Sequence, residues 1–277
     1  MSTPDHVIAR TSARLRELWS RDLPAFGLWS SLRDTMIAET LGGSEFDYVC
    51  IDLQHGAATL ADLPTMAQAM RAADAAPLVR VPWNEPATVM RALDAGACAV
   101  VVPMVDNAEQ ARAAAAASHF PPDGTRSWGP MWGYVRADGA PAPDEQNAAA
   151  ICLVMIETSA GLDAVEDIVG VPGVDGIYIG PSDLALSCGH GRSTYRDSPA
   201  VDAMIERIIR ACRAADVVAG LHCSDVEMAA HWAGRGARML TVAQDGGLLR
   251  AALGRTWTAL GEATDLATTR TAPSSVS

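Results

Sequence analysis

Charged residues that could carry out acid–base or metal chemistry recur at the ends of short apolar segments. In VCIDLQHG, a run that could form a buried strand ends in Asp52 and His55. Three further segments follow the same pattern, with Arg80 in APLVRV, Glu157 in ICLVMIE and Asp183 just after GIYIG. Buried charges are costly unless they are paired or bind a metal. If the segments are parallel strands, these side chains share one edge of a sheet, where catalytic residues of such folds lie.

Each of these residues also has a purely structural interpretation. Arg80 could form a salt bridge between a strand and a helix, and Glu157 could be the partner of such an arginine. Asp183 could cap a helix that begins at Leu184. Their coincidence at one end of the predicted strands favours the functional interpretation.

The elements that would position these residues are eight apolar, mostly continuous segments separated by helical patterns. Continuous apolar strands are typical of a parallel sheet covered by helices. The predicted strands are AFGLWS (25–30), YVCIDL (48–53), APLVRV (76–81), CAVVVPMV (98–105), ICLVMIE (151–157), GIYIG (176–180), VVAGLH (217–222) and RMLTVA (238–243).

Helix start signals fall between these strands, at Asn84-Glu85-Pro86, Asp106-Asn107 and Ser224-Asp225. Eight strand–helix repeats predict a (β/α)8 barrel, a TIM barrel. An open doubly wound sheet is the alternative, but the chain has no G-x-G-x-x-G or Walker A loop. We expect residues 1–263 to form one domain that starts with a helix, and the polar residues 264–277 to form a tail.

The composition narrows the class of protein. The 277-residue chain has a formal net charge of −12, which argues against binding to nucleic acid or anionic membranes. Its densest apolar stretch, residues 95–105, is shorter than the roughly 20 residues that span a bilayer. The chain opens with no signal peptide pattern. We therefore expect a cytoplasmic protein, and its six cysteines to be reduced.

Two carboxylates without histidine or cysteine partners predict a site for a hard cation. Glu157 and Asp183 suit Mg²⁺ or Mn²⁺, with open positions for water and a chelating substrate. A 2-oxo acid such as pyruvate could fill those positions while Arg80 holds the developing oxyanion. Backbone amides at Gly180 and Ser182, near a helix start, could bind the substrate carboxylate.

Five motifs in this order resemble the HpcH/HpaI aldolase family: FDYVCIDLQHG, VRVPWNEP, RALDAGACAVVVPMVDNAEQA, FPPDGTRSWG and VDGIYIGPSDLALSCG. The resemblance covers roughly residues 25–260. It implies a modified TIM barrel in a homo-oligomer, a hexamer or trimer, whose last helix is exchanged between subunits. It also implies a retro-aldol reaction that depends on Mg²⁺, Mn²⁺ or Co²⁺ and releases pyruvate and an aldehyde from a 4-hydroxy-2-oxo acid.

The resemblance assigns roles to the residues at the strand ends. Glu157 and Asp183 match the family's metal ligands, and Arg80 matches its enolate-stabilising arginine. His55 matches the histidine that transfers the proton, and Asp52 the carboxylate beside it.

Three further positions match the family's site. Asp94 matches an acidic residue that the family contributes to the site of a neighbouring subunit, although a solvated helix residue is an alternative. Gly180 and Ser182 match the amides that bind the pyruvate carboxylate.

The chain departs from the family pattern at two positions. Gln54 stands where the family has a carboxylate next to the histidine, and Met155 stands where it has a glutamine. Both departures bear on substrate identity. Two rival functions stay open, an acyl-CoA lyase of the citrate lyase β type and a non-catalytic barrel that binds a small acid.

Two regions outside these motifs could also shape the pocket. The connection 119–150, with Trp128 and Trp132, either closes over the site and selects an apolar or aromatic aldehyde, with Trp128 against the substrate, or packs against a neighbouring subunit. His222, after the seventh strand, could line the pocket or could simply be a polar strand end.

Overall fold

Eight parallel strands form a closed barrel in chain order, from β1 through β8 and back to β1. The computed structural model describes residues 6–135 and 139–264. All eight predicted strand segments are confirmed, and the fold is a (β/α)8 TIM barrel. The strands are β1 Ala25–Ser30, β2 Tyr48–Asp52, β3 Leu78–Arg80, β4 Ala99–Val102, β5 Ile151–Ile156, β6 Gly176–Ile179, β7 Val218–His222 and β8 Met239–Gln244.

Helices connect and cover these strands. The described helices are α1 Val7–Ser20, α2 Thr35–Gly42, α3 Leu63–Ala72, α4 Pro86–Asp94, α5 Ala108–Ser118, α6 Pro143–Ala149, α7 Ser159–Asp163, α8 Val165–Val169, α9 Pro181–Ser187, α10 Pro199–Ala214, α11 Val226–Gly234 and α12 Asp245–Thr264. Two predicted start signals are confirmed as caps, since the side chains of Asn107 and Asp225 accept hydrogen bonds from backbone N–H groups in the first turns of α5 and α11.

Successive strand residues alternate between the helix-covered face and the barrel interior. Inside, Tyr178 stacks on Trp29 with ring centroids 5.4 Å apart. The hydroxyls of Tyr178 and Tyr48 lie 2.5 and 3.1 Å from the hydroxyl of Thr241. These side chains fill the barrel beneath its carboxyl end, so polar residues one step further along the strands face the mouth of the barrel.

The described part of the 119–150 connection lies at the other end of the barrel. It joins α5 to β5, and helix-to-strand connections of a parallel barrel arrive at the amino ends of the strands. Trp132 is buried there, in a cluster with Cys98 and Ile151. The expectation that this connection closes over the mouth of its own barrel is therefore wrong, and packing against a neighbour is the interpretation that stays open.

Helix α12 leaves the barrel wall after its first turn. Asp245 anchors its start, because its buried carboxylate accepts hydrogen bonds from the backbone N–H groups of Ser31 and Leu32. Beyond it, apolar side chains are exposed, including Leu253 at 61% and Trp257 at 62%. Over the described residues, no helix combines the length and apolarity needed to cross a membrane. The predicted tail lies, from residue 265 on, outside the described residues.

Candidate active site

Arg80 and Asp52 form a two-point ion pair at the carboxyl ends of β3 and β2. Arg80 donates from Nε to Asp52 Oδ1 over 2.9 Å and from Nη2 to Oδ2 over 2.6 Å. The register places the two residues opposite each other, and their side chains are only 12% and 3% exposed. Such a bidentate pair fixes the plane of the guanidinium. Its remaining N–H groups are available to a ligand in the mouth.

The turn after β2 is built around the same carboxylate. Asp52 Oδ1 also accepts hydrogen bonds from the backbone N–H groups of Gln54 and His55, at 3.0 and 3.2 Å. The turn requires glycine at position 56, since a Cβ there would lie 2.2 Å from the carbonyl oxygen of Asp52. Burial alone would raise the pKa of Asp52, but Arg80 and these N–H groups hold it below its ordinary value.

His55 itself is exposed at the rim of the mouth. Within 6–135 and 139–264, no side chain or backbone group hydrogen-bonds its imidazole. The ring is therefore available to exchange a proton with a substrate. Beside it, the buried side-chain oxygen Oε1 of Gln54 also has no hydrogen-bond partner in the described chain.

Glu157, directly after β5, is buried with its carboxylate held on one side only. Oε1 accepts a hydrogen bond from the backbone N–H of Met104 at 2.8 Å, and the residue is 2% exposed. Met104 adopts a left-handed φ of 57°, which is uncommon outside glycine and often marks functional sites. The other oxygen, Oε2, packs so closely against the backbone at position 180 that only glycine fits there, because a Cβ would lie 2.5 Å from Oε2.

Negative charge accumulates around Glu157. Burial raises the pKa of Glu157, and the neighbouring carboxylates of Asp183 and Asp106 raise it further, against the opposing effects of Met104 N–H and Arg80. Asp183 lies exposed in the first turn of α9. The described residues contain no group of three or more histidine, cysteine or acidic side chains arranged to hold a metal. Metal binding by Glu157 and Asp183 therefore stays a prediction.

The turn between β6 and α9 carries the predicted carboxylate-binding amides. Gly180 is the residue before the helix, and no side chain caps this helix start. Ser182 is exposed in the first turn. The backbone N–H groups of a helix start are suited to an anion, and Gly180 packs against the carboxylate of Glu157.

Trp29 contacts both Arg80 at this site and His222 at the end of β7. The guanidinium of Arg80 lies 5.2 Å from the ring centroid of Trp29. The imidazole of His222 meets the same indole edge-on, at 5.0 Å between centroids. The sequence analysis does not identify Met104 or Trp29, and it leaves open whether His222 lines the pocket. Trp29 and His222 could have been recognised from their positions as inward-facing residues near strand ends.

Asp94 and Trp128 lie away from this mouth. Asp94 ends α4, is 3% exposed and binds Arg126 at 2.8 Å. The guanidinium of Arg126 lies over Phe120, which in turn contacts Trp128. All belong to the amino side of the barrel. Trp128 and Asp94 therefore lie away from the mouth of their own barrel, and the predictions that Trp128 contacts a substrate and that Asp94 serves the site of a neighbouring subunit stay predictions.

The barrel and the polar residues at its mouth define an enzyme of the TIM-barrel class. Residues 25–252 match the family described as HpcH/HpaI aldolase/citrate lyase, and the chain belongs to this family. It is 37% identical to a 4-hydroxy-2-oxo-heptane-1,7-dioate aldolase of Klebsiella pneumoniae, over 82% of this chain and 85% of that one. It is 33% identical to a hydroxypyruvate/pyruvate aldolase of Rhizorhabdus wittichii, over 86% and 95%.

The solved structures agree with this assignment. An HpcH/HpaI aldolase/citrate lyase family protein of Burkholderia cenocepacia superposes with a TM-score of 0.83 at 32% identity, covering 90% of this chain and 99% of that one. The chain is accordingly a carbon–carbon lyase, an aldolase.

Proposed function

We propose that this enzyme cleaves and forms 4-hydroxy-2-oxo acids through the enolate of pyruvate, with an aldehyde as the other product or substrate. The observation that carries the proposal is the convergence at one mouth of a fixed guanidinium, Arg80, with two carboxylates, Glu157 and Asp183. The names of the relatives support it, since they include a 4-hydroxy-2-oxo acid aldolase and a hydroxypyruvate/pyruvate aldolase.

The residues present fit a divalent cation, Mg²⁺ or Mn²⁺ and also Co²⁺. Glu157 keeps Oε2 free of described hydrogen-bond donors, and burial together with the like charge of Asp183 raises the pKa of Glu157. A cation would relieve that repulsion, and two carboxylates supply the hard oxygen ligands it prefers. When bound, it supplies Lewis-acid polarisation of the keto oxygen.

Arg80 and His55 divide the remaining work. Arg80 presents its uncommitted N–H groups toward the oxygen where negative charge develops, and the ion pair with Asp52 means that no reorientation is needed as the charge forms. In cleavage, His55 takes the proton from the 4-hydroxyl onto a ring nitrogen as the C3–C4 bond breaks, which gives the aldehyde and the pyruvate enolate, and the proton then passes to C3 of the enolate. In synthesis each transfer runs in the opposite direction. The backbone amides of Gly180 and Ser182 hold the substrate carboxylate.

The complete site requires a second copy of the chain. Asp94 lies on the amino side of its own barrel, so we place it at the site of a neighbouring subunit. The exposed apolar side chains of α12 support an oligomer, a hexamer or trimer, in which this helix packs against a neighbour. Burying such side chains in an interface is favourable by roughly 25 cal/mol per Å² of apolar surface.

Pyruvate release tests the proposal. The purified enzyme is incubated with 4-hydroxy-2-oxo acids, and pyruvate is measured with lactate dehydrogenase. We expect release that EDTA abolishes and that Mg²⁺ or Mn²⁺ restores. Release that EDTA leaves unchanged, or turnover of an acyl-CoA thioester in place of the oxo acids, would contradict the proposal.

A further inference from the structure

His222 is the last residue of β7 and faces the inside of the barrel. Its neighbours Ala219 and Leu221 belong to the core between strands and helices, so the alternation along a strand turns His222 inward. In the register it pairs with Thr241 of β8. It stands at the same end of the barrel as Asp52 and Arg80.

The imidazole of His222 shares one indole with the guanidinium of Arg80. Both groups lie close to Trp29, His222 edge-on and Arg80 near the ring face. The residue is partly exposed at the mouth. None of the residues in 6–135 and 139–264 forms a hydrogen bond with its ring nitrogens. The two nitrogens are therefore unused by the protein at a point next to the oxyanion-binding arginine.

The surroundings keep this ring neutral. Burial and the charge of Arg80 lower the pKa of His222 to about 4, against the weaker opposing effect of Asp52. A neutral imidazole carries one N–H donor and one acceptor nitrogen. That pair suits a hydroxyl group, which is both donor and acceptor, better than it suits a carboxylate or an alkyl chain.

We propose that His222 is a specificity-determining residue that hydrogen-bonds a substrate hydroxyl group, either on the donor carbon that forms the new bond or on the carbon next to the aldehyde group of the acceptor. The inference rests on the proposed aldol reaction. The hydroxyl has two sources: the donor, as in 3-hydroxypyruvate compared with pyruvate, or the acceptor, as in glycolaldehyde compared with propanal. His222 is the strand-end residue at this mouth whose ring nitrogens form no hydrogen bond within the described chain, and it lies beside Arg80 against the buried indole of Trp29.

Two substitutions separate hydrogen bonding from packing. His222→Phe keeps an aromatic edge against Trp29 but has no ring nitrogen. His222→Gln keeps a donor and an acceptor but loses the aromatic contact. His231→Phe, on the outer helix α11, is the matched control for replacing a histidine by phenylalanine. Melting temperatures of all variants establish that each is folded.

The measurement is kcat/KM for aldol formation with four substrate combinations, pyruvate or 3-hydroxypyruvate with propanal or glycolaldehyde. We expect His222→Phe to lose about tenfold on the hydroxyl-bearing donor or the hydroxyl-bearing acceptor, the value of one net hydrogen bond, and to keep its rate with pyruvate and propanal. His222→Gln should retain most of the preference. Which substrate is affected identifies the source of the hydroxyl.

Three results would overturn the inference. His222→Phe could match the wild type while His222→Gln fails with every combination, which would make His222 a packing partner of Trp29. All combinations could fall equally in both variants, or none could change. Wild-type turnover of pyruvate with propanal separates these results from a failure of the proposed function, because that reaction does not involve the hydroxyl.

Discussion

Asp52 binds Arg80 through both carboxylate oxygens and, with Oδ1, also accepts the backbone N–H groups of Gln54 and His55. One buried carboxylate therefore sets the orientation of the guanidinium and the path of the turn that carries the histidine. In the proposed reaction, this couples the group that binds the oxyanion to the group that transfers the proton. A loss of Asp52 would disturb both.

Arg80→Lys should be strongly deleterious. An ammonium is a flexible point charge and cannot keep the two-point contact with Asp52 while also facing the substrate. We expect kcat/KM for pyruvate release to fall on the order of 10²- to 10³-fold, the size of losing an oxyanion donor. Arg207→Lys, at a surface pair with Glu166, is the control. Similar kinetics for Arg80→Lys and the wild type would make Arg80 a structural ion-pair partner only.

Stability should fall in mildly acidic solution because of His222. Its folded pKa is about 4, and an unfolded histidine titrates near 6.5. Between these values the unfolded chain binds more protons, so lowering the pH favours unfolding. At pH 5 the loss relative to pH 7 should be about 2 kcal/mol for this group. Urea unfolding of the metal-free protein at both pH values measures it.

His222→Gln should show a smaller difference between pH 7 and pH 5, since glutamine does not titrate. An equal difference in the wild type and the variant would mean that the imidazole is solvated or charged in the folded protein. The protein concentration must be the same throughout, because an oligomer's stability depends on it.

Asp94 offers a test of shared sites. If it acts in the site of a neighbouring subunit, Asp94→Asn and His55→Ala should each be nearly inactive as pure oligomers. Mixed oligomers, formed by co-expression, contain some sites that have both wild-type residues, and we expect partial recovery of pyruvate release. A mixture no more active than its two components would mean that Asp94 acts within its own subunit, which would contradict a shared site.

The exposed face of α12 should hold the oligomer together. Trp257→Glu places a charge within that face, and we expect a smaller species by light scattering after size exclusion. Thr256→Glu, one residue earlier on the same helix and exposed like Trp257, is the control. An unchanged mass for Trp257→Glu would exclude this face as an interface.

The sequence predicts the barrel because its strands are buried on both faces and read as uninterrupted apolar runs. That frame brings Asp52, Arg80 and Glu157 to one mouth, since polar residues at the carboxyl ends of parallel strands converge. Even β3, which is only three residues long, is predicted correctly, because apolar residues flank Arg80 on both sides.

The sequence is less informative about features that depend on the direction of the chain or on the conformation of the backbone. The composition of the connection that holds Trp128 allows it to close over the mouth, but a segment between a helix and the next strand reaches the amino end of a parallel barrel. The hydrogen bond from the backbone N–H of Met104 to Glu157 involves a left-handed backbone conformation at Met104, and a methionine in the sequence does not predict that conformation. His222 and Arg80 are far apart in the sequence, and only the closed barrel brings both against the ring of Trp29.

Metal binding by Glu157→Gln and Asp183→Asn tests the central claim most directly. Calorimetric titration of the metal-free proteins with Mn²⁺, alongside pyruvate release, is the measurement, and Asp197→Asn in an exposed turn is the control. We predict that both variants fold, bind Mn²⁺ at least about 100-fold more weakly and release no pyruvate, while the control matches the wild type. Wild-type affinity for Mn²⁺ in both variants would contradict the account.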